Sequence, residues 1–146
     1  MAPINMNKYQ IVYFFLISIC IFLFSQGCSQ RCDEDFFYFI KEVYPEESYK
    51  LKKINNKVYI IKNISLEEFY SSKDKLLKNN FTQWHKLDNS AGFIIGVDGE
   101  IFFKGTTEKA IIYSKSNEKN SKYIPIILLD INEETLYCVL ATDFGG

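Results

Sequence analysis

The sequence predicts an α+β domain, in which an antiparallel β-sheet of about six to seven strands packs with two short helices after a cleaved N-terminal signal segment. Three observations lead to this prediction. An uncharged apolar run covers residues 11–24, a capping box opens one helix, and turn-forming residue pairs separate short apolar segments along the chain. Strands joined by such short turns pair antiparallel, and the resulting sheet buries a face against helices.

The first 27 residues have the composition of a secretory signal peptide. Lys8 is the one charge that precedes the apolar run over residues 11–24. A run of this length suits the central region of a signal peptide and is shorter than the roughly 20 residues that span a bilayer as a helix. We therefore expect residues 1–27 to be removed. The alternative is an uncleaved single-pass anchor.

The residues around the expected cut resemble those of bacterial lipoprotein precursors, in which the cysteine after the cut receives diacylglycerol. The similarity lies in Gly27 at position −1 and Cys28 at position +1. It implies lipidation of Cys28, a membrane-bound mature protein, and, from Ser29 at +2, sorting to the outer membrane facing the periplasm. Ser25 and Gly27 also satisfy the ordinary leader peptidase, so plain secretion is the alternative.

The cysteine count fits this interpretation. Of the four cysteines, Cys20 leaves with the leader, and an acylated Cys28 leaves Cys32 and Cys138 as one pair. Exported proteins fold in oxidising compartments, so we expect a disulfide between these two. The alternative is that Cys138 is a buried thiol. The predicted organisation is a signal peptide over 1–27, a lipidated tether over 28–31 and a single α+β domain over 32–146.

Two helices are predicted in the mature chain. The first covers residues 33–43, with acidic residues at its start, and Pro45 stops it. The second covers residues 66–78, because Ser65 and Glu68 have the spacing of a capping box. Asn79-Asn80 marks its end.

The remaining predicted elements are strands. They cover residues 48–54, 57–62, 92–97, 100–104, 108–115, 122–131 and 135–142. Asn55-Asn56 and Asp98-Gly99 each lie between two of these segments, and both pairs tolerate the positive φ of a two-residue hairpin turn. Residues 81–89 are predicted to form a polar loop that holds Trp84 and His85.

The sequence offers no catalytic or metal-binding constellation. Seventeen basic residues against eighteen acidic ones leave no basic surface for nucleic acid. His85 is the only histidine and has no serine or cysteine motif around it. The cysteine spacing stands without a nearby histidine, so neither a metal nor a cofactor is expected.

The favoured hypothesis is therefore a non-enzymatic, lipid-anchored protein that binds another protein at the cell envelope. An immunity or inhibitor protein and an accessory factor of an envelope assembly are both consistent with it. A contact surface formed by Trp84, Phe81, Tyr49 and Tyr59 is one candidate for the binding site, and a core-edge role for these aromatic residues is the alternative. A small-ligand carrier or a plainly secreted soluble protein is the second function considered.

Overall fold

The computed structural model describes the backbone of residues 8–84, 92–116 and 121–145, and their side chains apart from those of positions 8, 9, 14 and 20–33. The chain divides into two compact units, Met1–Asp35 and Phe36–Gly146. In the described residues, the first unit consists of helix, and all strands belong to the second.

One helix, α1 (Lys8–Val43), occupies the described part of the first unit and ends in the second. Its end at Val43 is the one predicted from Pro45. Its start differs from the prediction, because the helix does not begin near residue 33. The backbone at 28–31, which we expected to form a tether, is helical as well. Among the described residues, we find no helix with the combined length and apolar character needed to cross a bilayer.

Two short helices and nine strands form the rest of the described second unit. The helices are α2 (Leu66–Ser71) and α3 (Lys73–Lys78). The strands are β1 (Leu51–Asn55), β2 (Val58–Lys62), β3 (Phe81–Gln83), β4 (Gly92–Val97), β5 (Glu100–Thr106), β6 (Ala110–Lys115), β7 (Ile124–Asp130), β8 (Thr135–Ala141) and β9 (Asp143–Gly145). Six strands form a sheet in the order β1-β2-β8-β7-β6-β3, and three form a second sheet in the order β5-β4-β9.

Every described strand pair is antiparallel, which confirms the predicted α+β class. The central sheet is buried on both faces, as β7 illustrates. Ile127 and Leu129 pack with the helices, whereas Ile126 and Leu128 pack with the three-stranded sheet. Because alternate side chains of a strand point to opposite faces, the second unit has three layers: helices, six-stranded sheet and three-stranded sheet.

The N-terminus of α2 forms as the sequence predicts. The Ser65 hydroxyl accepts a hydrogen bond from the Glu68 N–H at 3.2 Å, and the Glu68 carboxylate accepts one from the Ser65 N–H at 2.8 Å. These bonds satisfy N–H groups that have no partner within the helix. The hydrogen bonds that the Ser65 N–H and then the Ser65 hydroxyl donate to the Glu68 carboxylate hold the pKa of that carboxyl below its usual value.

The helix predicted over 66–78 is divided at Ser72, which separates α2 from α3. Ser72 is buried, and its hydroxyl donates to the Phe69 carbonyl at 2.7 Å. A hydroxyl bonded to the backbone of its own helix competes with helix continuation. The predicted end is confirmed, because Asn80 follows α3 with a φ of 63°.

The two predicted hairpin turns form by different means. Asp98 and Gly99 have φ angles of 50° and 88°, as expected for their turn. The turn at Asn55-Asn56 is in the predicted place, but neither asparagine has a positive φ. Instead, the Asn55 side-chain oxygen accepts a hydrogen bond from the Lys57 N–H at 2.7 Å, which is how an Asx turn forms.

The strands divide between two sheets rather than forming the single sheet of six to seven that the sequence predicts. The additional strands are β3, which lies in the predicted loop over 81–89, and β9, which follows the last predicted strand. Each has three residues and pairs with a strand distant in sequence, β3 with β6 and β9 with β4. Long-range pairing therefore creates both.

Candidate functional site

An open groove of about 660 Å³ lies beside the three-stranded sheet, and we call it the outer groove. One of its walls is Ile124, at the start of β7 in the six-stranded sheet. The other comes from the three-stranded sheet, whose contributions include Ile94 of β4, Lys104 of β5 and Asp143, Phe144 and Gly145 of β9. Most of these groups are apolar, so water in the groove is readily displaced by an apolar partner.

Strand register arranges these side chains in rows across the three-stranded sheet. Ile94 pairs with Lys104 on one side and with Gly145 on the other. Directly paired residues share a face, so Lys104 and Ile94 stand side by side, while Gly145 leaves its place in the row open. A Cβ added at Gly145 would meet no atom within 4 Å.

The next row explains why position 96 is a glycine. Gly96 pairs with Ile101 and with Asp143. A Cβ added at Gly96 would lie 3.3 Å from the Asp143 Cβ and 3.4 Å from its Oδ2. The Asp143 side chain therefore lies across Gly96, on the same face as Lys104, because alternate residues of a strand share a face.

A hydrogen-bond network joins this face to the tip of the β4–β5 hairpin. The Thr142 hydroxyl donates to the Asp143 carboxylate at 3.1 Å and accepts from the Asp98 N–H at 2.9 Å. The Asp98 carboxylate in turn accepts from the Lys122 ammonium at 2.9 Å and from the Tyr123 hydroxyl at 3.2 Å. The network thus connects β9 with the segment that leads into Ile124, on the opposite wall.

The charges around Asp98 set its ionisation. The hydrogen bond from Lys122 is the largest of the effects that hold the pKa of the Asp98 carboxyl below its usual value. The same contact raises the pKa of the Lys122 ammonium. Lys57 lies 4.0 Å from the centre of the Tyr123 ring, a cation–π distance. Asp98 and Lys122 are exposed and Lys57 is partly buried, so salt will weaken the attraction between Asp98 and Lys122 most.

Lys104 differs from Lys122 in having no ion pair among the residues that the structure describes. It is exposed and lies in the row that ends at Gly145. In the same described part of the chain, no group of three or more histidine, cysteine or acidic residues is placed to bind a metal. The outer groove is thus an apolar channel with one cation and one carboxylate.

The predicted lipidation and disulfide residues fall largely outside this description. The side chains of Cys28 and Cys32 are outside the described residues. Cys138 of β8 is a fully buried free thiol in the core between the helices and the six-stranded sheet. Burial raises the pKa of this thiol. The Cys32–Cys138 disulfide stays a prediction, which mass mapping of the native protein without reduction will test.

The four aromatic residues predicted as a contact surface are not brought together. Phe81 is a core residue, 2% exposed, between the helices and the six-stranded sheet. Tyr49 and Tyr59 are partly buried against that same core. Trp84 packs on the other core, with its ring centre 4.9 Å from that of Phe144. Their placement corresponds to the core-edge alternative.

Sequence reasoning did not single out the residues of the outer groove. Ile94, Ile124 and Phe144 come from three separate strands, and no local pattern shows that they meet. His85 lies outside the described residues. One available indication was the glycine spacing of β4, where Gly92 and Gly96 leave Ile94 as the one large side chain on that face.

Comparison of the chain with protein-family models, with curated proteins and with solved structures gives no match.

Proposed function

We propose that this chain is a lipid-anchored cell-envelope protein, non-enzymatic, whose mature domain binds a partner protein through the outer groove. The observation that supports the binding role is the groove itself, an open and mostly apolar channel along β9 with a cation and a carboxylate at its sides. Exposed apolar surface of this kind is typical of interaction sites on small domains.

The open shape favours a macromolecular partner over a small ligand. Small-molecule sites bury most of the ligand surface, which requires an enclosed cavity. The outer groove is open along its length, and the side chain of Ile94 is 36% exposed in it. A peptide segment or a protein surface can cover such a channel, whereas a small molecule bound there would stay largely in water.

The first unit supports the export part of the proposal. Its described apolar side chains include Ile11, Tyr13, Phe15 and Leu16, each more than half exposed. Exposing these apolar side chains to water is unfavourable, whereas burying them in a membrane or in the binding site of an export machinery is favourable. The resemblance to lipoprotein precursors at Gly27-Cys28 then provides the anchor that keeps the mature protein at the envelope.

Site-specific photocrosslinking tests the binding role. A photoreactive amino acid placed at Ile94 in cells of the source organism should give one discrete adduct, identified by mass spectrometry. The same amino acid at Tyr38, which is 74% exposed on the helical layer, is the matched control and should not give that adduct. No adduct at Ile94, or the same adduct from both positions, would contradict binding through the groove.

A further inference from the structure

We propose that the partner of the outer groove contributes an extended segment, which adds to β9 as a fourth antiparallel strand of the small sheet. This inference rests on the proposed function and specifies how the groove binds. Its recognition sequence is an acidic residue, an apolar residue and a basic residue in that order.

Of the four edge strands in the two described sheets, β1 and β5 carry lysines, whereas β3 and β9 do not. Exposed sheet edges attract other strands, and proteins usually block them with lysines or bulges. β1 carries the exposed Lys52 and Lys53 and has an irregular register at Asn55. β5 has Lys104 and an irregular register opposite Ile95 and Gly96.

β9 and β3 have neither a lysine nor an irregular register, and their length of three residues is the one feature that limits pairing with another strand. Of these two strands, only β9 lies along the outer groove. Its three residues, Asp143, Phe144 and Gly145, include no lysine or proline, and its pairing with β4 is regular. Among the described strands, β4 is its only partner. The outer groove lies along this same strand, so a segment bound there has both a backbone edge to pair with and apolar side chains to contact.

Charge complementarity with the outer groove predicts which residues the added strand carries. The open place at Gly145 leaves room for a long side chain of the added strand, pointing along the row toward Ile94 and Lys104. The added strand would lie three strand spacings from β5, about 14 Å. Ile94 stands between the two side chains in this row, so a glutamate there attracts the Lys104 ammonium across Ile94 and without a direct ion pair.

The row that contains Asp143 carries a negative charge, whereas the row that contains Lys104 carries a positive one. In an antiparallel pairing, the residue opposite Asp143 comes two positions after the residue opposite Gly145, on the same face. A lysine or arginine there meets the Asp143 carboxylate. The residue between them points to the other face, beside Phe144 and Ile124, where an apolar side chain fits. The predicted motif is therefore Glu-Ile-Lys or a close relative.

Binding of labelled peptides to the full-length protein in detergent micelles tests the addition of a strand to β9. An eight-residue peptide with Glu-Ile-Lys at its centre, flanked by threonine and valine, should bind more tightly than the same composition with Lys-Ile-Glu. The expected difference is about tenfold, as two misplaced charges disfavour the reversed peptide. Lys104→Glu should weaken the first peptide and improve binding of a Lys-Ile-Lys peptide.

N-methylation of the peptide backbone identifies strand addition itself. In an antiparallel pair, alternate residues exchange hydrogen bonds with the neighbour. Methylation of one alternate set of amides should abolish binding, whereas methylation of the other set should leave it nearly unchanged. Fluorescence anisotropy measures both, and no protein variant is needed for this comparison.

Two results would overturn the inference. If both methylated peptides bind equally well, or if binding ignores charge order, the groove binds its partner without strand addition. If no peptide binds, a short extended segment is not the recognised element. Either result leaves the proposed function intact when the crosslink at Ile94 forms, and loss of that crosslink would instead contradict the proposed function.

Discussion

At the scale of single residues, a buried pair of hydroxyls joins the end of α1 to the junction of α2 and α3. The Tyr44 hydroxyl lies 2.7 Å from the Ser72 Oγ, and both residues are buried. Ser72 uses its only hydroxyl proton on the Phe69 carbonyl, so Tyr44 is the donor in the pair. Burial raises the pKa of the Tyr44 phenol, which stays protonated.

This assignment predicts unequal effects of the two deletions. Tyr44→Phe removes the donor and leaves Ser72 bonded to Phe69, so it should cost about 1 kcal/mol of unfolding free energy. Ser72→Ala strands the buried Tyr44 hydroxyl and should cost about 2 kcal/mol. Urea unfolding measures both, and the double variant should be no less stable than Ser72→Ala alone. Equal single effects that simply add would contradict the assignment.

The second prediction at this scale concerns the pH dependence caused by Asp98. Its folded pKa lies below the unfolded value of about 3.9, because Lys122 favours the carboxylate. The Asp98 contribution is therefore present above pH 4 and is lost as the pH falls through the folded pKa. Asp98→Asn should lower the urea midpoint at pH 7 and lower it less at pH 3.

Salt provides the control for this prediction. The charged groups that face Asp98 are Lys122, which is exposed, and Lys57, which is partly buried, and Tyr123 adds a neutral hydroxyl. Salt will screen the attraction of Lys122 most. The difference between wild type and Asp98→Asn at pH 7 should shrink in 1 M sodium chloride. A difference that is the same at both pH values would show that the ion pair does not contribute to stability.

At the scale of elements, the β4–β5 hairpin depends on a contact between neighbouring residues of one strand. The Phe103 ring lies over Gly105, where an added Cβ would be 2.6 Å from its Cε1 atom. The ring cannot move freely, since its centre is 5.6 Å from that of Phe93 and 5.5 Å from that of Tyr137. Aromatic cover of a strand glycine is a known means of fixing register.

Gly105→Ala should therefore destabilise the protein by about 1–3 kcal/mol, the usual cost of overpacking. Gly92→Ala is the matched control in β4, because its Cβ would make only an ordinary contact at 3.8 Å. That variant should change the unfolding free energy by less than about 0.5 kcal/mol. Thermal unfolding of both variants measures the two effects. Equal effects would mean that the Phe103 ring moves to make room for the new methyl group.

Elements with local signals were predictable from the sequence. The capping box at Ser65 and Glu68 fixed the start of α2, and Asp98-Gly99 fixed its hairpin, because each depends on residues close in the chain. The turn at Asn55-Asn56 was placed correctly, with the wrong backbone angles, since asparagine has two ways to make a turn. The break at Ser72 was missed because a serine within a helical pattern does not by itself show that its hydroxyl will bond the Phe69 carbonyl.

The outer groove could not be predicted either. β9 is three residues long and becomes a strand only through its pairing with β4. Its apolar wall requires Ile124 and Phe144 to meet at the corner where the chain passes from β8 in one sheet to β9 in the other. No local sequence pattern predicts the pairing of β9 with β4 or the proximity of Ile124 and Phe144.

At the scale of the whole molecule, the proposed function combines export through the N-terminal segment with partner binding by the second unit. The resemblance at Gly27-Cys28 implies that the mature chain starts at Cys28 with a diacylated thiol and an acylated amine. Two or more acyl chains hold a protein stably on a membrane, whereas one chain binds only marginally. We therefore expect the mature protein in the membrane fraction alone.

Incorporation of labelled palmitate, combined with membrane fractionation, tests this central claim most directly. Wild type should take up label and sediment entirely with membranes, and Cys28→Ala should take up none and be released or accumulate as uncleaved precursor. Cys20→Ala is the matched control, because that cysteine is expected to leave with the leader, and it should behave as wild type. Unlabelled wild-type protein in the soluble periplasmic or secreted fraction would contradict lipid anchoring and leave ordinary secretion in its place.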